Sequence, residues 1–424
     1  MRVAKQVWAS RIWLQRLAMG VGGLLVLLVL AGFALTQLVD PNLYRGLIER
    51  QVSAATGRAF RLTGDIELAF FPWLSLTTGA GELPSPAGFP ERRFLRWQKA
   101  HVGARLLPLL HGELVVDRVR LVGLDARLVR AADGRVNWTL DSGTAGDAAP
   151  GPRPDIAGIE LRDSRLTYED ASSSTHLDDL RLDIEPIRDG VPLRIELAAT
   201  MSRTGVAERV TVNAATVMTL GPSISLADTT IAGKLLGARL GSGGVPWHFK
   251  APQLRFGSDS SLALPAWELQ FNDAVLRGAT TARFGDTLVA AGTLSLSPVS
   301  LRETLAAVGV ELPPTRDPGA FGRAKLTAGF KVDGDSFVVD PFDVILDDTH
   351  LTGRVTREAG TLHFALRADA VDLDRYLKPD GAPSEPFVFP TAALKALRAE
   401  GTLDIDEATL EGVRMKGVRL GAGP

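Results

Sequence analysis

Cysteine is missing altogether from this chain of 424 residues, which excludes a disulfide framework, a thiolate nucleophile and a sulfur-ligated zinc site. Histidine is scarce. The six, His101, His111, His176, His248, His350 and His363, are at least ten residues apart and none stands in an H-E-x-x-H type of spacing. An excess of either charge is also lacking: 47 basic against 49 acidic side chains leave a net charge of -2, without the basic footprint that nucleic acid requires. Gly233-Lys234 and Gly241-Ser242-Gly243-Gly244 lack the phosphate-loop spacing, and the loop opening at Asp404 and Asp406 carries Thr409 where a calcium loop needs glycine. Asp178-Asp179 and Asp347-Asp348 fall between strand runs, where aspartate forms turns. No motif for catalysis, a metal or a cofactor is present, so the chain reads as a non-enzyme with no cofactor.

One long hydrophobic run is present. Residues 17–39 contain no charge, and at about 1.5 Å per residue such a run crosses a hydrocarbon core of about 30 Å. It is longer than a signal-peptide core and ends without a small-residue cleavage site, which favours an uncleaved anchor. Arg2, Lys5, Arg11 and Arg16 precede it with no acidic residue, so the N-terminus is expected in the cytoplasm and the body on the far side of the membrane. Next, Asp40-Pro41 signals a helix start, and Leu43, Leu47, Ile48, Val52 and Ala55 give residues 40–57 an apolar side that stops at Gly57.

After Gly57 the periodicity changes from helical to strand-like. Alternating runs at 62–68, 114–121, 180–184, 193–197, 262–264, 294–296, 326–332, 337–339, 351–355 and 362–366 are each closed by Gly, Asp or Pro. Few connections have the length and pattern of a crossover helix, which argues against a doubly wound α/β fold. The expected class is therefore mainly β: a transmembrane helix followed by a long curved antiparallel sheet with a few short helices. The expected divisions are an anchor at 1–39, a juxtamembrane helix at 40–57, a β region at 58–141, a Gly/Ala/Pro/Asp-rich linker at 142–158, and β repeats over 159–424. Two helical insertions are expected. One lies near 298–309, where Ser300 and Glu303 can form a capping box, and the other at 373–377.

The order of several landmarks resembles the AsmA family. They begin with Asp40-Pro41, Gly57-Arg58, Gly64-Asp65, Phe71-Pro72-Trp73-Leu74, Arg105-Leu106-Leu107-Pro108-Leu109-Leu110, Gly112-Glu113-Leu114 and Asp133-Gly134-Arg135-Val136-Asn137-Trp138. Further along come the 301–309 helix with Asp317-Pro318, Leu346-Asp347-Asp348 with Leu351-Thr352-Gly353, and Asp372-Leu373-Asp374-Arg375-Tyr376-Leu377. The resemblance implies a Gram-negative inner-membrane protein with a periplasmic body that supports phospholipid transport and outer-membrane homeostasis. Residues 185–295 carry no matching motif and rest on strand periodicity. Family members continue with more β-rich sequence than follows 413–420, so a shortened member or part of a longer protein is expected.

A phospholipid acyl chain in water costs about 0.8 kcal/mol per CH₂, or about 12 kcal/mol for 16 carbons, so its carrier must offer continuous apolar surface. An alternating strand presents such a surface on one side. The candidate lining positions are Leu180, Leu182, Ile184, Leu193, Ile195, Leu197, Leu326, Phe330, Phe337, Val339, Leu362, Phe364 and Leu366. For each, an ordinary sandwich core is the competing account. The partners expected are the membrane, through a single-pass anchor, and phospholipid acyl chains. Other envelope proteins come second, in an assembly-scaffold alternative that uses exposed sheet edges.

Overall fold

The computed structural model describes residues 40–69, 74–89, 93–104, 115–139, 155–188, 190–240, 243–379 and 398–423. The anchor run 17–39, the stretches 70–73 and 105–114, and most of the expected linker lie outside them. Among the described residues no helix is long and apolar enough to cross a membrane. The chain divides into two compact units at Val191/Pro192.

In the first unit Asp40 accepts from the Asn42 N–H at 2.9 Å and opens a 3-10 turn, Pro41–Tyr44, that runs into α1, Arg45–Thr56. Gly57, at φ +67, ends the helix. Only part of its apolar side is used: Ile48 and Val52 pack on the core, whereas Leu43 and Leu47 are exposed.

Ten strands follow: β1 (Arg61–Leu62), β2 (Ile66–Ala69), β3 (Leu74–Thr78), β4 (Gly81–Pro84), β5 (Arg93–Trp97), β6 (Lys99–Ala104), β7 (Val115–Val122), β8 (Asp125–Val129), β9 (Asp155–Glu169) and β10 (Ser174–Glu185). They form two ladders, β2-β3-β6-β7 and β1-β4-β5-β8. Both ladders end on the long strand β9: β7 pairs with its first half, β8 with its second, and β10 with its other edge. The buried core of Phe60, Leu62, Ile66, Leu83 and Phe94 draws on both ladders, with Leu76, Trp97, Leu128 and Trp138 packed around it.

Two expectations are corrected here. The β7–β9 and β8–β9 pairings are parallel, not antiparallel, and parallel neighbours need a long return connection, which residues 130–154 supply. The described end of the 142–158 stretch, Asp155 to Gly158, is already the start of β9.

The second unit contains β11 (Leu193–Arg203), β12 (Arg209–Thr219), β13 (Ile224–Leu236), β14 (Val245–Phe256), β15 (Ser261–Phe271), β16 (Ala274–Arg283), β17 (Val289–Val299), β18 (Ala324–Asp333), β19 (Ser336–Leu346), β20 (Thr349–Glu358), β21 (Thr361–Asp372), β22 (Ala399–Leu410) and β23 (Val413–Ala422). From β11 to β21 every strand pairs antiparallel with the next. β22 then pairs with β21 in parallel, a second correction to the all-antiparallel expectation, and β23 returns antiparallel.

These strands are longer than the sequence runs, and four prolines explain why. Pro252, Pro265, Pro298 and Pro341 each lie where the ladder register shifts, between Lys250 and Gln253, Leu264 and Trp267, Leu296 and Val299, and Val339 and Phe342. A bulge tolerates the missing N–H, and its extra residue flips the sequence alternation without ending the strand. The runs 262–264, 294–296 and 337–339 stop in the sequence just before these positions, while β15, β17 and β19 continue through them.

Pro298 and Val299 accordingly finish β17, and the helix α2 occupies Leu301–Ala307, with Ser300 Oγ accepting from the Glu303 N–H at 3.2 Å. The second expected helix is a single 3-10 turn, Leu373–Tyr376.

Candidate functional site

Directly paired residues in a ladder share a face, as do residues two apart on one strand. Following the pairings from β11 to β22 sorts the second unit into two unlike surfaces. One row runs Ile195, Thr216, Thr229, Ala251, Trp267, Gly278, Leu294, Ala328, Phe342, Gly353, Leu366 and Leu403. The row one residue along each strand is polar, with Arg194, Thr211, Lys250, Glu268, Arg277, Ser295, Thr327, Asp343, Thr352, Arg367 and Asp404 among its members. Ion pairs dress that polar side: Arg277 Nε to Glu268 Oε2 at 2.8 Å, Arg367 Nη2 to Asp406 Oδ2 at 2.9 Å, and Arg354 Nη1 to Asp340 Oδ2 at 3.3 Å.

The apolar face is shaped by glycines set opposite large side chains. Gly233 faces Trp247, Gly278 faces Trp267, Gly292 faces Phe330, Gly353 faces Leu366 and Gly401 faces Phe364. A Cβ on Gly278 would stand 2.5 Å from Trp267 Cζ2 and 2.6 Å from the Thr293 carbonyl oxygen; one on Gly292 would stand 2.9 Å from the Phe330 ring and 2.1 Å from the Ala279 oxygen. Only a residue without a side chain permits this approach, and the ring covers the gap it leaves. Trp267 Nε1 donates to Thr280 Oγ1 at 3.0 Å, and the ring stacks with Phe249 at 6.5 Å between centroids.

Burial distinguishes this face from a sandwich interior. The buried members are chiefly small or lie near strand ends, Leu193, Ala199, Thr229, Val245, Ala251, Val299, Ala324, Ala328 and Ala368, with Ile405 in mid-strand on β22 the exception. Phe249, Trp267, Leu269, Leu276, Leu294, Phe330, Phe342 and Phe364 are only half-buried. A second sheet packed at about 10 Å would bury the large side chains first. The largest side chains of this face instead retain accessible surface.

Of the thirteen candidate lining positions, Leu193, Ile195, Leu197, Leu326, Phe330, Phe337, Val339, Leu362, Phe364 and Leu366 lie on this one face, on β11, β18, β19 and β21. Leu180, Leu182 and Ile184 belong to β10 of the first unit, where Leu182 and Ile184 pair with Leu161 and Ile159. Leu180 and Leu193 are buried and the other eleven half-buried. Sequence reasoning missed the contributions of β13 to β17, with Trp247, Phe249, Trp267 and Leu269. Their signal was the alternation on either side of Pro252 and Pro265.

One rim of this face is fastened by a polar lock. Asp347, buried in the β19–β20 turn, accepts from the Phe321 N–H at 2.8 Å, the Arg323 N–H at 3.1 Å and the Tyr376 hydroxyl at 2.8 Å. Burial works against its charge, but these hydrogen bonds outweigh burial and hold the carboxyl below its ordinary value. Burial, and then the bond to Asp347, push the Tyr376 hydroxyl up. Arg375 joins Asp317 at 2.8 Å and also Asp348, while Asp374 accepts from the N–H groups of Glu411 and Gly412. The lock ties the loop behind α2 to the strand ends on that rim.

A cavity of about 640 Å³ opens among Ala279, Thr281, Ala291, Thr293, Gly329 and Lys331. Those six are polar-row residues, and Leu264, Thr280, Gly292 and Phe330 of the apolar row line it as well. Among the described residues no group of three or more His, Asp or Glu is placed to hold a metal ion.

The AsmA family profile matches residues 13–243. Two curated relatives are similar to the chain. Protein AsmA of Escherichia coli (strain K12) is 31% identical over 173 residues, 39% of this chain and 26% of the relative. AsmA family protein YhjG of the same organism is 21% identical over 194 residues, 42% of this chain and 28% of the relative. The matches thus span little more than a quarter of either relative's length. No solved structure matches.

Proposed function

Since the chain belongs to the AsmA family, we propose that it is an inner-membrane-anchored envelope protein whose second unit shelters phospholipid acyl chains on their way toward the outer membrane. The observation that carries this reading is the apolar face, whose largest side chains among the described residues stay only half-buried. It runs across thirteen strands, and at about 4.8 Å per strand it extends for about 60 Å. The polar row and its ion pairs keep the other side wet. Residues 17–39 would tether the chain, with the basic N-terminus in the cytoplasm and the body in the periplasm.

A chain laid against half-buried Leu, Phe and Trp side chains recovers much of the roughly 0.8 kcal/mol per CH₂ that it loses in water. Adsorption onto a preformed face needs no rearrangement of a closed core. Photo-crosslinkers at Leu182, Ile195 and Phe364 test the reading: lipid adducts at Ile195 and Phe364 are expected. Adducts to an outer-membrane protein at all three, with no lipid, would sink it in favour of the assembly-scaffold alternative.

A further inference from the structure

The two rims of the apolar face differ. One carries α2, the loop behind it and the Asp347 lock, with Val299, Ala320 and Ala324 buried beneath them. The other carries the hairpins β12–β13, β14–β15 and β16–β17, where the apolar row continues to the tips, and beyond them β18–β19 and β20–β21, whose tips hold Asp333, Asp335 and Glu358. Leu220 is 59% exposed, Ile224 40%, Phe256 41%, Phe284 52% and Leu288 44%. All five fall in register with the apolar face: Ile224 pairs with Phe256, while Leu220, Phe284 and Leu288 each extend it two residues past Met218, Ala282 and Ala290.

The tips also share a local design. Arg255-Phe256-Gly257 and Arg283-Phe284-Gly285 repeat the same tripeptide at two successive hairpins of this rim. Each phenylalanine lies on the apolar side and each arginine, exposed, on the polar side. Asp259 folds back to accept from the Ser261 N–H and hydroxyl, and Asp286 stands in the next tip, so the two arginines are matched by two carboxylates. An aromatic ring beside a guanidinium, with the charges balanced, suits a lipid–water interface, where rings enter the acyl boundary and cations meet phosphate. A protein client would be expected to meet a rim with one dominant sign of charge or with hydrogen-bonding edges.

We propose that this three-hairpin part of the rim docks on the surface of a phospholipid bilayer, with Leu220, Phe256, Phe284 and Leu288 entering the acyl boundary and Arg255 and Arg283 at the phosphates. Acyl chains then pass from the bilayer onto the apolar face between these tips, where Leu220, Phe256, Phe284 and Leu288 carry the apolar row to its edge. The role given to docking rests on the acyl-shelter reading; the docking itself does not. Hairpins two strands apart are separated by about 10 Å, so three of them give a footprint about 20 Å wide.

The absence of cysteine makes the test clean. Phe284→Cys and, on the opposite rim, Val206→Cys are labelled with an environment-sensitive fluorophore in the full chain held in amphipol. Phosphatidylcholine–phosphatidylethanolamine vesicles carrying a quencher lipid are then added. Quenching at position 284 well above that at 206 is the expected result. Raised salt should change the association less than about twofold, because the charged groups are balanced. The double variant Phe256→Ser/Phe284→Ser should weaken vesicle association by about tenfold or more.

Equal quenching at the two positions would overturn the proposal. So would a fluorescence change at 284 that follows protein concentration without vesicles, since that would mark a second copy as the occupant. Lipid crosslinking at Phe364 without quenching at 284 would remove the rim and leave the acyl shelter standing. Quenching at 284 without crosslinking at Phe364 would do the reverse.

Discussion

The first unit closes its apolar residues in, and the second spreads them out. Between the ladders that meet on β9, Phe60, Leu62, Ile66, Leu83 and Phe94 are all 9% exposed or less. In the second unit the large side chains of one face stay half-buried, and mostly alanines are buried. The charges differ in the same way. Across six strands of the first unit Arg61, Glu82, Arg96, Asp125 and Arg165 pair in alternating sign, and Arg165 ends on Asp178. Glu160, with a side chain only 7% exposed, is held by Arg118, Arg120 and Arg162. Strands of similar composition thus build a self-sufficient core in one place and an unsatisfied surface in the other. The difference lies in topology: in the first unit the strands form two layers around a core, and in the second a single layer grows by neighbours.

That contrast can be broken most directly by truncating aromatic side chains. Phe94→Ala in the first unit should cost about 3–5 kcal/mol in denaturant unfolding, as a core cavity does. Phe342→Ala in the second should cost about half as much, because its ring already meets solvent. Equal losses would show that the second face is covered after all. Asn137→Ala comes next. Its side chain, wholly buried, accepts from the Val129 N–H at 2.9 Å and donates to the Arg127 carbonyl at 2.8 Å, while Arg58 donates to its backbone carbonyl at 2.7 Å. A loss of about 3 kcal/mol is expected from the unsatisfied groups.

Gly278→Ala should cost about 2 kcal/mol, since the new Cβ meets the Thr293 oxygen and the Trp267 ring. Near-UV circular dichroism should report the displaced ring. A smaller, pH-dependent effect is expected at Asp347. Its folded-state pKa is lowered, so its contribution is present above the ordinary carboxylate value and fades as pH falls through the lower folded value. Asp347→Asn should therefore destabilise the second unit at neutral pH and flatten its acid limb, as read by unfolding midpoints between about pH 6 and pH 3. Ile195→Asp and Phe364→Asp, half-buried on the same face, should cost about as much as Phe342→Ala, roughly 2 kcal/mol. Those variants should stay folded while losing lipid crosslinks.

The β class, the α2 cap at Ser300 and the apolar parity of ten lining positions could be read from sequence, because each depends on local alternation or a local cap. The strands interrupted by proline could not be read whole, since a bulge reverses the parity that marks a strand. The parallel pairings at β9 and β22 depend on which distant strands meet, which no local pattern records. Asp347 read as a turn former. Its grip on Phe321, Arg323 and Tyr376 arises only once three separated segments converge. Asn137 and Arg58, two family landmarks, are joined by a hydrogen bond between residues 79 apart in the chain, so their spacing alone disclosed nothing of their contact.

The consecutive pairing of β11 to β21 has a mechanical consequence. Each strand is held by the two beside it, so the second unit behaves as a nearly one-dimensional array in which cooperativity passes only from neighbour to neighbour. Inserting or deleting a hairpin would change its reach by about 10 Å and leave the other ladder contacts intact. Length is then a quantity that can drift by duplication without a core to be redesigned, and pulling on such an array should peel it hairpin by hairpin instead of rupturing it at once.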